Sequence, residues 1–223
     1  EINLPETITS IGDYAFYGCG GLIEINLPAA VASIGTYAFA GTSITEVALP
    51  SSLTTIGSSA FADCTSLATL AMSENVTEIG SSAFENCTSL TEITIPGNVK
   101  TIGSNAFEGC TGLTTVVISD GVENMGCYLF EGCTAIESVA LPYAGLKLEE
   151  VEAGTAVRLE NLFSYWGYEG TYNACSYDVP NTLTSVTITG GSCVPADAFY
   201  GMSSLTEINL PETITSIGDY AFY

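Results

Sequence analysis

Residues 86–110 read NCTSLTEITIPGNVKTIGSNAFEGC, and most of the chain is an approximate copy of this stretch. It opens on Leu90, Ile93 and Ile95, of which the last two have the period-2 spacing of a strand. Pro96 follows at once; proline has no N–H to give to a ladder, so it ends the strand. A second apolar pair, Val99 and Ile102, leads into Gly103, and a turn carrying Ala106 and Phe107 closes the unit on Cys110.

The phenylalanines show how far the pattern extends. Phe16, Phe39, Phe61, Phe84, Phe107 and Phe130 follow at steps of 23, 22, 23, 23 and 23. Phe199 comes 69 residues further on and Phe222 another 23, and Phe163 alone lies off this grid. The strand unit recurs as Leu22/Ile25/Leu27, Ile44/Val47/Leu49, Leu67/Leu70/Met72, Leu113/Val116/Ile118, Ile136/Val139/Leu141, Leu183/Val186/Ile188 and Leu205/Ile208/Leu210. Six of the eight prolines (Pro5, Pro28, Pro50, Pro96, Pro142, Pro211) come directly after it. One such unit cannot bury its own apolar face, but stacked units can, which predicts a solenoid with neighbouring strands about 4.8 Å apart. The in-register rings of Phe16, Phe39, Phe61, Phe84, Phe107, Phe130, Phe199 and Phe222 are then a structural spine. The glycine before each Ala-Phe turn has two readings, a positive φ or close packing. Pro195 fills that slot in its own repeat and proline cannot take a positive φ, so close packing is favoured.

This pattern of strand, proline, Ile-Gly, Ala-Phe and Cys resembles the Treponema-type leucine-rich repeat of the BspA-like family, over roughly residues 1–142 and 183–223. The asparagine ladder of commoner leucine-rich repeats is missing, and proline stands after the strand instead. The resemblance implies a curved, right-handed solenoid of about 23-residue coils, mostly β and turns with little helix, its parallel sheet on the concave side. It also implies a bacterial or protist surface protein that adheres to components of a host or neighbouring cell.

Charge and composition narrow the chemistry. There are 25 Asp and Glu against Lys100, Lys147 and Arg158, a net charge of −22, which repels phosphate backbones and anionic lipid. The absence of histidine removes Ser-His-Asp and Cys-His catalysis and the usual zinc sites. The carboxylates are scattered and the hydroxyls have no base beside them, so no enzyme, cofactor or metal site is expected. No apolar run within the 223 residues is long enough to span a membrane.

Cys19, Cys64, Cys87, Cys110 and Cys133 share one slot, which Thr42 and Met202 fill in other repeats; such exchange marks a small, buried position and predicts packed thiols. Cys127, Cys175 and Cys193 lie outside this column, and a Cys175–Cys193 disulfide is expected to pin the irregular stretch between about residues 143 and 182. In that stretch KLEEVEAGTAVRLE (147–160) reads as a hairpin about Gly154. The following NLFSYWGYEGTYNACSYD (161–178) resembles the spacer that punctuates BspA-like arrays, where ordinary coils are displaced without loss of register. The 69-residue step from Phe130 to Phe199 agrees with that. Its Tyr165, Trp166, Tyr168, Tyr172 and Tyr177 are candidate contacts for a glycan or protein partner. They serve equally as the private core of the excursion, the less demanding reading, since a long loop must bury something to stay ordered.

The outward strand positions, such as Glu92/Thr94 and Ser185/Thr187, are small or acidic and lack aromatics and arginine. Finally, EINLPETITSIGDYAFY occurs at both 1–17 and 207–223, copies 206 residues apart. Ordinary neighbours share only slot residues, so the whole block is inferred to be duplicated and the chain to be one piece of a longer array. Residues 1–223 therefore read as a single solenoid serving as an extracellular, surface-exposed adhesion or partner-binding module. Its expected partners are a host or neighbouring-cell surface protein or glycan, or further copies of itself. The rival is a purely structural stalk, fibre or filament. Asn75-Val76-Thr77 and Asn86-Cys87-Thr88 are glycosylation sequons where the host supplies that chemistry.

Overall fold

The computed structural model describes residues 2–145, 147–152, 158–163 and 179–223. It is a parallel-strand β-solenoid with little helix. The Leu-x-x-Ile-x-Ile units form the longer strands: Glu46–Ala48 pairs with Thr69–Ala71, and Glu92–Ile95, Thr115–Ile118, Ser138–Leu141, Ser185–Ile188 and Glu207–Asn209 form a five-stranded sheet. Slots pair with slots, Ile93 with Val116 and Ile95 with Ile118, so each strand buries one face and exposes the other as the period-2 pattern requires. Pro5, Pro28, Pro50, Pro96 and Pro211, each directly after a strand unit, also begin a turn, the carbonyl receiving the N–H three residues on (Val99 to Pro96, 3.1 Å; Leu53 to Pro50, 3.0 Å).

The apolar pair after that turn makes a second parallel ladder, which the sequence reading did not assign as a strand. Ser10–Ile11, Ser33–Ile34, Thr55–Ile56, Glu78–Ile79, Thr101–Ile102 and Asn124–Met125 form a six-stranded sheet of two-residue strands. A third run of hydrogen bonds lies at the Phe turn and points the other way along the stack. There the N–H of Phe39, Phe61 and Phe84 reaches the alanine carbonyl of the following coil at 2.8 Å, whereas the N–H of Gly80 and Gly103 reaches back to the preceding coil. The turn needs two left-handed residues per coil. The slot two after Phe takes Gly, Asp63 or Asn86, while the slot two before it is left-handed at Tyr14, Tyr37, Ser59, Ser82, Asn105, Tyr128, Asp197 and Tyr220, φ 53–63°.

Glycine before the turn is there for close packing, as expected. Its φ is not positive, and a Cβ on Gly80 would lie 2.5 Å from the Ser58 nitrogen of the preceding coil. Gly35, Gly57, Gly103, Gly126 and Gly218 meet backbone in the same way. Pro195 escapes because its neighbour on that side is not a short strand but the helix Leu148–Glu152, whose Val151 carbonyl takes the Cys193 thiol at 2.9 Å.

The phenylalanine spine forms. Consecutive rings from Phe16 to Phe130 stack at 5.2–6.0 Å between centroids, and Phe199 stacks on Phe222 at 5.1 Å. Phe163, off the sequence grid, continues it at 5.9 Å from Phe130 with its ring tilted by 41°. The interruption is thus one enlarged coil. Ser138 pairs directly with Ser185, and the Thr184 hydroxyl reaches the Glu137 carbonyl across 47 positions. Register is kept, but displaced coils are not what keeps it: two regular repeats' length of chain makes a single step of the stack. The described residues of 147–160 do not form the expected hairpin either. Leu148–Glu152 is a helix and Leu159–Leu162 a 3-10 turn, in which the adjacent Leu159 and Glu160 are both buried together with Leu162, a pattern that a period-2 strand cannot deliver.

Candidate functional site

Three surfaces carry the functional question. The first is the outward face of the longer strands. Glu24/Asn26, Glu46/Ala48, Thr69/Ala71, Glu92/Thr94, Thr115/Val117, Ser138/Ala140, Ser185/Thr187 and Glu207/Asn209 all point away from the core, exposed or half-exposed. Because Ser138–Leu141 pairs straight onto Ser185–Ile188, the enlarged coil does not interrupt this face.

The second is the enlarged coil itself. Its return path, residues 179–182, packs beside 131–134 and leaves an open pocket of about 500 Å³ next to Glu131 and Asn181. Tyr165, Trp166, Tyr168, Tyr172 and Tyr177 lie outside the described residues. So does Cys175, the expected partner of Cys193. What is described is the anchor. Arg158, the one arginine of the chain, places Nη2 3.4 Å from Asp197 Oδ2 of the next coil and Nη1 3.5 Å from Glu160 Oε1. Its guanidinium lies 4.4 Å from the centre of the Tyr200 ring. Glu160 is buried, and its second oxygen has no hydrogen-bond partner among the described residues.

The third is the turn surface, where tyrosines cluster at both ends: Tyr14, Tyr17 and Tyr37 at one, Tyr200, Tyr220 and Tyr223 at the other. The sequence reading passed over these six because their slots hold Ser, Asn, Asp, Ala or Glu in most other coils, Tyr128 being an exception. Their shared offset from the spine phenylalanine was the available signal. Among the described residues no group of three or more His, Cys, Asp or Glu side chains is placed to hold a metal ion. No described helix is long and apolar enough to cross a membrane.

The family model for the BspA-type leucine-rich-repeat region matches the chain in six copies over residues 1–113, 77–152 and 170–223. The chain belongs to the BspA-type leucine-rich-repeat family. Among solved structures, a leucine-rich-repeat protein of Bacteroides ovatus is 28% identical over 99% of this chain and 57% of its own, with a TM-score of 0.57. A Treponema pallidum leucine-rich-repeat protein is 23% identical, covering 96% of this chain and 71% of its own (TM-score 0.47). A leucine-rich cell surface protein of Faecalibacterium prausnitzii is 23% identical over 93% and 58% (TM-score 0.45). The chain thus spans little more than half of the Bacteroides ovatus protein. No curated protein sequence matches it.

In this BspA-type repeat the cysteine slot does more than fill space. The thiols of Cys64, Cys87, Cys110 and Cys133 donate to the carbonyls of Phe39, Phe61, Phe84 and Phe107, two coils' turns tied together at 3.1–3.3 Å. Thr42 makes a kindred contact with the Cys64 sulfur at 3.3 Å, which explains why threonine serves there. All four are buried unpaired thiols, whereas Cys19, on the first coil, is exposed. Burial lifts the Cys64 and Cys87 thiols above their ordinary range; Cys133 is lifted first by its hydrogen bond with the Cys110 side chain and then by burial. Two outcomes follow for this BspA-type chain. Iodoacetamide is expected to leave Cys64 and Cys87 unmodified in the folded chain until denaturant is added. Raised thiols contribute stability that is whole below the unfolded thiol value of about 8.5 and is lost as pH climbs above it. The denaturation midpoint should therefore fall between neutral and strongly alkaline pH, and fall less in Cys87→Thr; an equal fall in both would remove the thiols from the explanation.

Proposed function

We propose that the chain is a non-enzymatic module of an extracellular, surface-exposed protein that works by presenting its faces to a partner. The observation that carries this is the enlarged coil. The stack departs from its repeat there, yet keeps the strand ladder in register through Ser138 and Ser185 and ties the excursion down through Arg158. A building material gains nothing from such an enlarged coil, whereas a module that meets a partner through an insert in its stack does. Family membership supports the surface location.

A second reading has one observation of its own. The identity of residues 1–17 and 207–223 fits a purely structural array of 206-residue blocks, as in a stalk or filament. A glycan and matrix-protein array probed with the chain and with Trp166→Ala separates the two. Binding that the substitution abolishes, with an unchanged melt, is the expected result. No binding by either protein, together with long unbranched filaments in electron micrographs of the native material, would put the structural reading in its place.

A further inference from the structure

In the ordinary coils the turn after the phenylalanine closes on the same turn of the next coil: the Gly109 N–H meets the Glu131 carbonyl at 2.7 Å and the Gly41 N–H the Ala62 carbonyl at 2.8 Å. Beside residues 131–134 stands a different piece of chain, residues 179–182, where the enlarged coil returns to the stack. The two line a pocket of about 500 Å³. Its wall is fixed from within. The Thr182 hydroxyl donates to the Ile136 carbonyl at 2.7 Å and lies 3.2 Å from that of Thr134, and the Leu183 N–H closes a turn onto the Pro180 carbonyl at 2.9 Å. Val179 and Pro180 supply an apolar side. Thr134 and Asn181 are exposed, and the hydroxyl of one and the amide of the other make no hydrogen bond among the described residues.

We propose that this pocket takes a neutral sugar residue of a glycan. A sugar hydroxyl both gives and accepts a hydrogen bond, as the Thr134 hydroxyl and the Asn181 amide do, while the C–H face of a pyranose ring covers Val179 and Pro180. A wholly apolar ligand would strand the amide and the hydroxyl without water. An acidic sugar is repelled by Glu131 in the lining and by the net charge of −22. The volume falls within the range of small-molecule sites. The inference rests on the partner-binding reading above and gives it a ligand class and a place. It uses none of the aromatic side chains singled out in the sequence, so the two can fail separately.

The test titrates the whole chain with the methyl glycosides of glucose, galactose and N-acetylglucosamine, beside methyl glucuronide and methyl glucosaminide as acidic and cationic controls, and follows backbone amide resonances. A neutral glycoside is expected to bind in the millimolar range and to shift the Asn181 and Thr182 resonances. Asn181→Ala and Thr134→Val are each expected to weaken it about tenfold with an unchanged melt, since neither side chain is hydrogen-bonded within the fold. Neutral glycosides that leave those resonances in place, or equal affinity in parent and variants, would overturn the proposal. So would tighter binding of the glucosaminide, which would mean that carboxylates attract a cation. Should a substitution disturb the fold, the resonances of the parent decide alone. Glycan-array binding that Trp166→Ala abolishes and Asn181→Ala leaves intact would sink the pocket and keep the partner-binding module.

Discussion

Phe107→Ala is expected to cost about 3–5 kcal/mol of stability. The ring is fully buried and stacks on Phe84 at 5.4 Å and on Phe130 at 6.0 Å, so removing it empties space on both sides. The surrounding coils cannot close that space, because their spacing is set by three sets of backbone hydrogen bonds rather than by the side chains between them. The Phe107 backbone keeps its own roles, N–H to the Leu129 carbonyl and carbonyl to the Cys133 thiol, and this isolates the effect to the ring. Each coil touches only its neighbours, so the loss weakens two interfaces and is expected to divide the unfolding transition. Denaturant melts followed by hydrogen exchange in both halves would show it. A wild-type midpoint would mean that the spine does not hold the stack together.

Gly103→Ala is expected to destabilise by about 3 kcal/mol. Its Cβ would lie 2.4 Å from the Ser81 nitrogen and 2.7 Å from the Gly80 carbon, backbone atoms that cannot swing aside. The coils must part there, opening the short-strand ladder between Glu78–Ile79 and Thr101–Ile102. Denaturant melts of the parent and of Gly103→Ala check it, and an unchanged midpoint would sink coil-to-coil approach as the reason for the glycine.

What was legible in the sequence was whatever repeats. Ile93 and Ile95 face the core, Phe84 stacks on Phe107 and Gly103 lies against Gly80 because identical slots must meet when identical units stack. Other features left weaker traces. The left-handed turn residue two before each phenylalanine was hidden by its variety, since Tyr, Ser, Asn and Asp share no propensity strong enough to mark it. The hydrogen bonds of the cysteine column could not be read either, because a buried thiol that packs and a buried thiol that donates look alike in sequence.

The enlarged coil marks the boundary most sharply. Sequence alone determined that register survives the interruption, since a period of 23 resumes after 69 residues. Only the tertiary structure decided how that chain is spent: Ser138 meets Ser185 directly, Phe163 takes the vacant place in the spine, and a helix stands where a short strand would be. The physical reason is that periodicity reports interactions every coil makes alike. Phe163 and Arg158 are positioned by partners met once, Phe130 on one side and Asp197 with Tyr200 on the other, and a contact made once leaves no period to read.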